Sequence, residues 1–255
     1  MSRLVYFFIL LPISRLPLPV LYVFSSMLRF WVRDVFGYRL RVVRENVARS
    51  FPEKSAAERA EIVDRFCDLI VESVKAFTIS SEEIQKRFVC TTPQILDAYY
   101  QSGKSVVLVG GHFNNWEWLA VALKQQIRHR CVAIYKPLSD RFLDGKMRET
   151  RGKYGLEMFP IREVPAFFAA VAKDRLTEPF LTIFGIDQSP GDPRKAHWTR
   201  FLHQDTGVPY GAEKYAKEND LPVCFGVIHK VRRGYYTFEI RPLVDNPRET
   251  AHGWI

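Results

Sequence analysis

The sequence predicts an α/β domain with a largely parallel sheet, preceded by an apolar N-terminal segment. Short apolar runs at 105–109, 131–135 and 180–184 alternate with stretches of helical periodicity. Such alternation is typical of parallel strands that are joined by helices on the faces of a sheet. The chain has 255 residues, 47% of them hydrophobic, which is enough for one substantial core. We therefore expect one main domain.

The N-terminal segment has the composition of a membrane element. Arg15 is the only charged residue between positions 4 and 28. Three prolines between positions 12 and 19 would kink or break a helix, so one kinked span and two short helices in the membrane interface fit about equally well. A cleaved signal peptide fits less well, because no small-residue cleavage site follows. We predict that residues 1–35 anchor the chain to a membrane and that residues 36–255 form the domain.

The charge balance favours anionic partners. Lys and Arg total 37 against 28 for Asp and Glu, which gives a formal net charge of +9. Six arginines follow the apolar segment closely: Arg29, Arg33, Arg39, Arg41, Arg44 and Arg49. Such an excess marks the cytoplasmic side of a bacterial inner membrane, where we expect the domain to lie against anionic headgroups. Binding to nucleic acid is not expected, because the sequence has no zinc-finger or RNA-binding signature.

Local patterns predict the remaining elements. Ser55 and Glu58 form a capping box, and the apolar periodicity after them predicts an amphipathic helix that ends near Ser80. The other predicted helices are a short one after Asn115 and those at 139–153, 163–173 and 212–219, and the other predicted strands are 222–228 and 235–240. Gly234 turns the chain into the last strand, which we expect to be an antiparallel edge.

The main candidate for chemistry is His112, which follows a buried strand and a glycine turn. Ligands bind at the carboxyl ends of the strands in open α/β sheets, and a histidine can take a proton from a hydroxyl nucleophile there. Glu117 can hold the histidine tautomer if His112 lies in the turn before the helix. The spacing alone is weak evidence, because composition predicts about 0.6 such pairs by chance. A solvated, unpaired histidine is the alternative.

Metal and serine chemistry are not favoured. His112 has no H-E-x-x-H partner, and the other five histidines show no ligand spacing. No G-x-S-x-G elbow is present. We expect neither a metal nor a cofactor. The cysteines form no C-x-x-C pair and fit buried thiols in a reducing compartment; they are Cys67, Cys90, Cys131 and Cys224.

Five further residues are candidates for substrate binding. Arg151 offers bidentate donors to a phosphate, and Lys136 offers a positive charge. Asp187 and Gln188 follow a buried strand and should reach the same sheet edge as His112. Asn115 completes the set. For Arg151 and Lys136, the alternative is an ordinary solvated side chain without a binding role. For Asp187 and Asn115, the alternative is capping of a turn or a helix.

Residues 111–117 resemble the H-x-x-x-x-[DE] block of glycerolipid acyltransferases, specifically of the lipid A late-acyltransferase branch, the lauroyl and myristoyl transferases. Four more parts of the chain resemble that family's blocks in the same order: Asn46-Val47 with Phe51-Pro52-Glu53, Tyr135-Lys136-Pro137, Arg151 with Gly155, and Asp187-Gln188-Ser189. The likeness runs from about Arg39 to Arg241. Trp198 to Leu202 represents the family's Phe-Phe-Gly stretch only loosely. Family members commonly continue into a C-terminal helical segment, so we expect that the chain is truncated at Ile255.

The resemblance implies a glycerolipid-acyltransferase-like fold and transfer of a fatty acyl group. The expected donor is a thioester of an acyl carrier protein, and the expected acceptor is a hydroxyl of a lipid A precursor. His112 and Glu117 would form the catalytic pair. Two alternatives stay open: a lysophospholipid or aminolipid acyltransferase, and a membrane lipid-binding protein without catalysis.

Overall fold

The computed structural model describes residues 1–30, 40–63, 66–172 and 178–251. In chain order, the helices are α1 Ser2–Val5, α2 Leu11–Arg15, α3 Leu18–Arg29, α4 Leu40–Ser50, α5 Ala56–Val63, α6 Phe66–Lys75, α7 Ser81–Arg87, α8 Pro93–Gln101, α9 Trp116–Ala122, α10 Arg141–Gly152, α11 Val164–Ala172 and α12 Gly211–Asn219. A π-helical turn, Tyr6–Leu10, joins α1 to α2. The strands are β1 Phe88–Cys90, β2 Val106–Gly110, β3 Arg130–Tyr135, β4 Glu157–Pro160, β5 Phe180–Gly185, β6 Ala196–Phe201, β7 Gln204–Pro209, β8 Val223–Arg232 and β9 Tyr235–Val244.

Within the described residues, seven strands form one sheet in the order β1-β9-β8-β2-β5-β3-β4. All neighbouring pairs in this sheet are parallel except β8 and β9. Helices flank the sheet, and buried apolar side chains form two clusters, one that includes Trp118 and one that includes Phe180. The predicted α/β fold with a largely parallel sheet is therefore confirmed.

One edge of the sheet collects the residues that the sequence singled out. Strands β2, β3 and β5 run in the same direction and end together, and we call this side of the sheet the carboxyl edge. His112 follows β2, Lys136 follows β3, and Asp187 follows β5. Strand β8 is parallel to β2, so the β8–β9 turn also lies on that side.

The prediction that the last strand is an edge is wrong. Strand β9 is antiparallel to β8, as expected, but β1 pairs with its other side in parallel. Since β1 has three residues, it is too short to produce a period-2 pattern in the sequence. Strand β4 and the separate β6–β7 hairpin were also not predicted, because each lacks a continuous apolar run.

The predicted helix from Ser55 to Ser80 is described as α5 and α6, and residues 64–65 lie outside the described part. The capping box is confirmed: the Ser55 N–H donates to Glu58 Oε2 at 2.9 Å, and the Glu58 N–H donates to Ser55 Oγ at 3.3 Å. The apolar periodicity does not show which polar side chains of α6 are buried. Glu72 and Lys75 are buried, whereas Ile70 is 39% exposed, because both polar groups have partners in neighbouring elements.

The N-terminal residues form a bent pair of helical stretches that packs on the domain. Within the described residues, no single helix has the length and hydropathy of a membrane span, but Ser2–Arg15 and Leu18–Met27, bent by 118°, match a broken span in length and composition. Pro17 lies at the bend. One side is buried and includes Leu18 and Leu21. The other side exposes a continuous series of large apolar residues: Leu4, Phe7, Phe8, Ile9, Ile13, Val20, Val23, Phe24, Met27 and Phe30. The boundary at residue 35 lies outside the described residues.

Polar contacts fix this helical pair to α6. The Tyr22 hydroxyl donates to Glu72 Oε1 at 2.8 Å, and the Ser25 hydroxyl donates to Asp68 Oδ1 at 2.8 Å. Lys75 Nζ donates to the carbonyls of Ser14 and Leu16, at the end of α2. Because these donors and acceptors are mostly buried, leaving one unpaired would cost more than the net gain from an exposed hydrogen bond.

Tyr22→Phe tests this attachment. The change removes the hydroxyl that docks α3 on the buried Glu72 and leaves a buried acceptor poorly satisfied, so we expect the free energy of unfolding to fall by about 1–3 kcal/mol. Urea titration in a mild detergent would measure it. Tyr235→Phe is the control, because Tyr235 lies in the adjacent β8–β9 turn and no hydrogen bond of its hydroxyl is found within the described residues. Equal losses in the two variants would contradict the assignment.

Candidate active site

Two consecutive asparagines fix the end of the turn that joins β2 to α9. Asn114 has a φ of 52°, in the left-handed region, and its Nδ2 donates to the carbonyl of Ile228 at 2.7 Å. Asn115 is the N-cap of α9, since its Oδ1 accepts from the Trp118 N–H at 3.0 Å. The capping alternative for Asn115 is thereby confirmed. His112 is thus held in the turn before the helix, as the sequence predicted.

His112 makes two contacts with Asp187, from the end of the neighbouring strand. Nδ1 of the ring lies 2.7 Å from Asp187 Oδ1, and the His112 N–H donates to Asp187 Oδ2 at 2.6 Å. Glycines leave room for this arrangement. A Cβ on Gly185 would lie 2.7 Å from Cε1 of the ring, and a Cβ on Gly111 would lie 3.1 Å from Asp187 Oδ2. The ring can therefore lie directly over the end of β5.

The contact with Asp187 determines which ring nitrogen is open. Partial burial raises the pKa of Asp187, but its hydrogen bonds with His112 outweigh this, so the pKa lies below its usual value and the carboxylate is ionised at neutral pH. An ionised carboxylate only accepts hydrogen bonds, so Nδ1 of a neutral His112 carries the proton. Nε2 then has the free lone pair, on a side chain that is 34% exposed.

Glu117 has a different partner from the one the sequence predicted. Both of its oxygens accept from Arg151: Oε2 from Nε at 2.9 Å and Oε1 from Nη2 at 2.6 Å. Glu117 is 5% exposed, so this is a buried ion pair. The expectation that Glu117 directly holds the imidazole tautomer does not match this structure, because Asp187 occupies Nδ1. Periodicity could not reveal this, since Asp187 is 75 residues from His112.

Arg151 and Trp116 connect the two acids around the histidine. The Arg151 guanidinium lies over the Trp116 ring, 5.3 Å from its centroid. The Trp116 ring in turn meets the His112 ring edge to face, with centroids 4.8 Å apart. The ring of His112 is therefore held by a hydrogen bond from one side and by an aromatic contact from another. Glu117 can influence it only through Arg151 and Trp116.

Glu72 is a site residue that the sequence reasoning missed. Its side chain is completely buried, and burial raises the pKa of its carboxyl above the usual value. Asn115 Nδ2 donates to Glu72 Oε2 at 2.8 Å, the Tyr236 hydroxyl donates to the same oxygen at 2.6 Å, and Trp118 Nε1 donates to the Glu72 carbonyl at 2.8 Å. The sequence signal that could have indicated its burial is the position of this acid next to apolar Val71 in an amphipathic helix.

The other predicted substrate-binding residues lie around this edge and have fewer contacts. Lys136 and Gln188 are exposed where β3 and β5 end. Arg151 donates to Glu117 from Nε and Nη2, and no hydrogen bond of its third nitrogen, Nη1, is found within the described residues. The sequence therefore identified residues that the structure brings to one place, and their roles in binding stay predictions.

A histidine that a carboxylate holds at the carboxyl edge of an α/β sheet, with one nitrogen open, is a site that can activate a hydroxyl group. The model of the bacterial lipid A biosynthesis acyltransferases matches residues 2–252, so the chain belongs to that family. A search of curated proteins gave no match. Family membership implies an acyltransferase with an acyl donor and a lipid acceptor.

Asp187→Asn tests the ionised partner of His112. Because the pKa of Asp187 is lowered in the folded state, its carboxylate stabilises the fold above the usual value of 3.8, and this contribution is lost as the pH falls through the lower folded value. We expect the stability difference between wild type and variant to be constant near neutral pH and to shrink in acid. Chemical denaturation over a pH series measures it. Asp205→Asn, an exposed control, should show no such trend.

Arg151→Ala tests the buried pair. The variant leaves Glu117 charged without its partner, so we expect a loss of about 3–5 kcal/mol in the free energy of unfolding. Arg148→Ala, an exposed change on the same helix, should stay within about 0.5 kcal/mol of wild type. The double variant Glu117→Ala with Arg151→Ala should recover part of the loss, because neither charge remains. Additive losses would show that the two residues do not act as a pair.

Proposed function

We propose that the chain transfers a fatty acyl group from an acyl carrier protein thioester to a hydroxyl of a lipid A precursor, at the cytoplasmic face of a bacterial inner membrane. His112 is the general base of this reaction. The observation that carries the proposal is the pairing of His112 with Asp187, which leaves Nε2 as the open nitrogen. Family membership supports the acyl-transfer chemistry.

The proposed reaction uses one base and no acyl-enzyme. His112 Nε2 takes the proton from the acceptor hydroxyl as its oxygen attacks the thioester carbonyl carbon. Asp187 stabilises the imidazolium that forms, because its carboxylate accepts the hydrogen bond from Nδ1. The tetrahedral intermediate then breaks its C–S bond, and the thiolate takes the proton back from Nε2. An ester and a free thiol result, so atoms and charges balance.

Glu117 acts in this proposal as a positioning residue. It fixes Arg151, which fixes Trp116, whose ring limits the orientation of His112. In this proposal the remaining nitrogen of Arg151 and the exposed Lys136 bind phosphate groups of the acceptor. A lipid A precursor carries two phosphates on a sugar, which suits several cationic groups at one edge.

The exposed apolar side of the N-terminal helices supports a membrane location. Leu4 is 63% exposed, Phe8 75% and Val23 61%, which is unusual for side chains of this size in contact with water. A helix that buries one side on the protein and exposes an apolar side is suited to lie in the lipid interface. Basic residues of α4, among them Arg41 and Arg44, follow it and are exposed, as expected near anionic headgroups.

His112→Ala tests the proposed base. A general base supplies a factor of roughly 10²–10⁴, so we expect kcat to fall at least 100-fold while the fold is kept. The measurement is transfer of a labelled acyl group from acyl carrier protein to a lipid A precursor by the purified protein. His229→Ala is the matched control, because His229 is an exposed histidine that also contacts a carboxylate, Glu239, at 3.2 Å.

The outcomes separate the alternatives. Transfer to the lipid A precursor that only His112→Ala abolishes supports the proposal. Transfer to a lysophospholipid but not to the lipid A precursor would assign another acceptor. Near-normal activity of His112→Ala would refute the mechanism, and no transfer by the folded wild type would favour a lipid-binding protein.

A further inference from the structure

The β6–β7 hairpin is separate from the main sheet and exposes large aromatic side chains. It consists of six residue pairs from Ala196–Pro209 to Phe201–Gln204. Trp198 is 58% exposed, Phe201 60% and Leu202 37%. These are the largest apolar groups in the hairpin, and within the described residues they belong to neither buried cluster. Ordinary packing of the fold therefore does not explain them.

The turn of the hairpin holds its apolar tip in a costly conformation. Leu202 has a φ of 48° and His203 a φ of 63°, both in the left-handed region. Tight hairpin turns of this kind usually place glycine or asparagine at these positions, and a residue such as leucine there costs about 1 kcal/mol or more. Exposing Leu202 in such a turn has no benefit for stability. A strained, apolar, exposed tip is a reason to look for a ligand.

Trp198 has its polar atom hydrogen-bonded within the protein and one side of its ring exposed. Its Nε1 donates to the Pro193 carbonyl at 3.1 Å, and its ring lies against Gly207, whose added Cβ would meet ring carbons at 3.5 and 3.6 Å. The polar atom of the indole is thus satisfied by the protein, while more than half of the side chain faces outward. Trp and other aromatic residues with this balance are enriched at the membrane interface.

The hairpin also carries positive charge. Residues 193–209 contain three basic residues, Arg194, Lys195 and Arg200, and a single acid, Asp205. Arg200 is exposed beside Phe201, although Arg194 is paired with Asp192. Apolar side chains at a tip with cationic groups behind them match the lipid interface, where acyl chains meet anionic headgroups. A protein partner of similar area would not require both features at one tip.

The hairpin lies on the same side of the sheet as the N-terminal helices. Its first strand begins nine residues after Asp187, which follows β5 at the carboxyl edge. The β8–β9 turn lies on that side too, and there Arg233 Nη2 donates to the Tyr22 carbonyl at 3.2 Å and contacts Ser26 Oγ at 3.4 Å in α3. Gln204 Nε2 donates to Ser50 Oγ at 3.2 Å, which attaches the hairpin to α4.

We propose that the β6–β7 hairpin is a second membrane-binding element, in which Phe201 and Leu202 at the turn and Trp198 on the strand before it enter the interface of an anionic bilayer beside the site. This inference rests on the membrane location in the proposed function. Contact at two separate elements fixes the orientation of the carboxyl edge toward the lipid surface. An acceptor lipid can then present its hydroxyl to His112 without leaving the bilayer.

Bromolipid quenching tests the position of Trp198 directly. The full-length protein is mixed with phosphatidylethanolamine vesicles, with and without phosphatidylglycerol, that carry bromine near the headgroup end of the acyl chains. Wild type and Trp198→Phe are compared, and the difference isolates one of the five tryptophans. We expect the difference spectrum to be quenched on anionic vesicles. A difference spectrum that bromine leaves unchanged, in protein that is vesicle-bound, would overturn the proposal.

Vesicle flotation gives the second measurement. Phe201→Ser with Leu202→Ser should weaken binding at least ten-fold, because two apolar side chains no longer enter the lipid interface. Leu243→Ser is the matched control: Leu243 is 44% exposed and lies near the opposite edge, since Val244 pairs with the first residue of β8. Phe8→Ser with Phe24→Ser tests the N-terminal helices separately. Equal binding by the tip variant and wild type would contradict the hairpin's role.

The two proposals fail in different ways. If wild type transfers acyl groups in detergent but does not bind vesicles, the membrane location in the proposed function is wrong, and the hairpin inference is wrong with it. If wild type binds and only the N-terminal variant loses affinity, the proposed function stands and the hairpin inference is refuted. A tip variant that loses vesicle binding but keeps its activity on detergent-dispersed acceptor supports both.

Discussion

The buried carboxylate of Glu72 is the constraint on which the arrangement of this molecule depends. A carboxyl group without contact with water destabilises a fold unless several donors surround it. Here the donors come from three different elements: Tyr22 in α3, Asn115 before α9, and Tyr236 in β9. Any change in the docking of one of these elements leaves a buried oxygen poorly satisfied. The N-terminal helices, the turn of the site and the last strand are therefore fixed relative to one another by one side chain.

The site also depends on acidic side chains, and its two acids lie in different surroundings. Asp187 is partly exposed and contacts the reactive ring, whereas Glu117 is buried and neutralised by Arg151. A partly solvated acid can respond to a charge that forms on the imidazole, while a buried ion pair is rigid and contributes geometry. Gly185 completes the arrangement, since any side chain there would displace the ring from the end of β5.

The sequence predicted the parts of this fold that depend on local pattern. Strand β2, the glycine turn, the cap at Asn115 and the capping box at Ser55 follow from hydrophobic runs and short-range hydrogen bonds. It also predicted correctly that Asp187 reaches the same sheet edge as His112. The partners of these residues could not be predicted, because the choice between Asp187 and Glu117 at Nδ1 depends on strand order. The burial of Glu72 and Lys75 in α6 could not be predicted for a related reason: the groups that pair with them are distant in the sequence.

The long sequence separation of these contacts sets an order for biogenesis. Arg233, which contacts the carbonyl of Tyr22, follows it by 211 residues. Ribosomes add about 5–20 residues per second, so the apolar helices are synthesised roughly 10–40 s before Arg233. Contacts with α6 become available much earlier, since Glu72 follows Tyr22 by 50 residues. Docking of the N-terminal helices therefore begins on α6 and is completed only when the last two strands have been made.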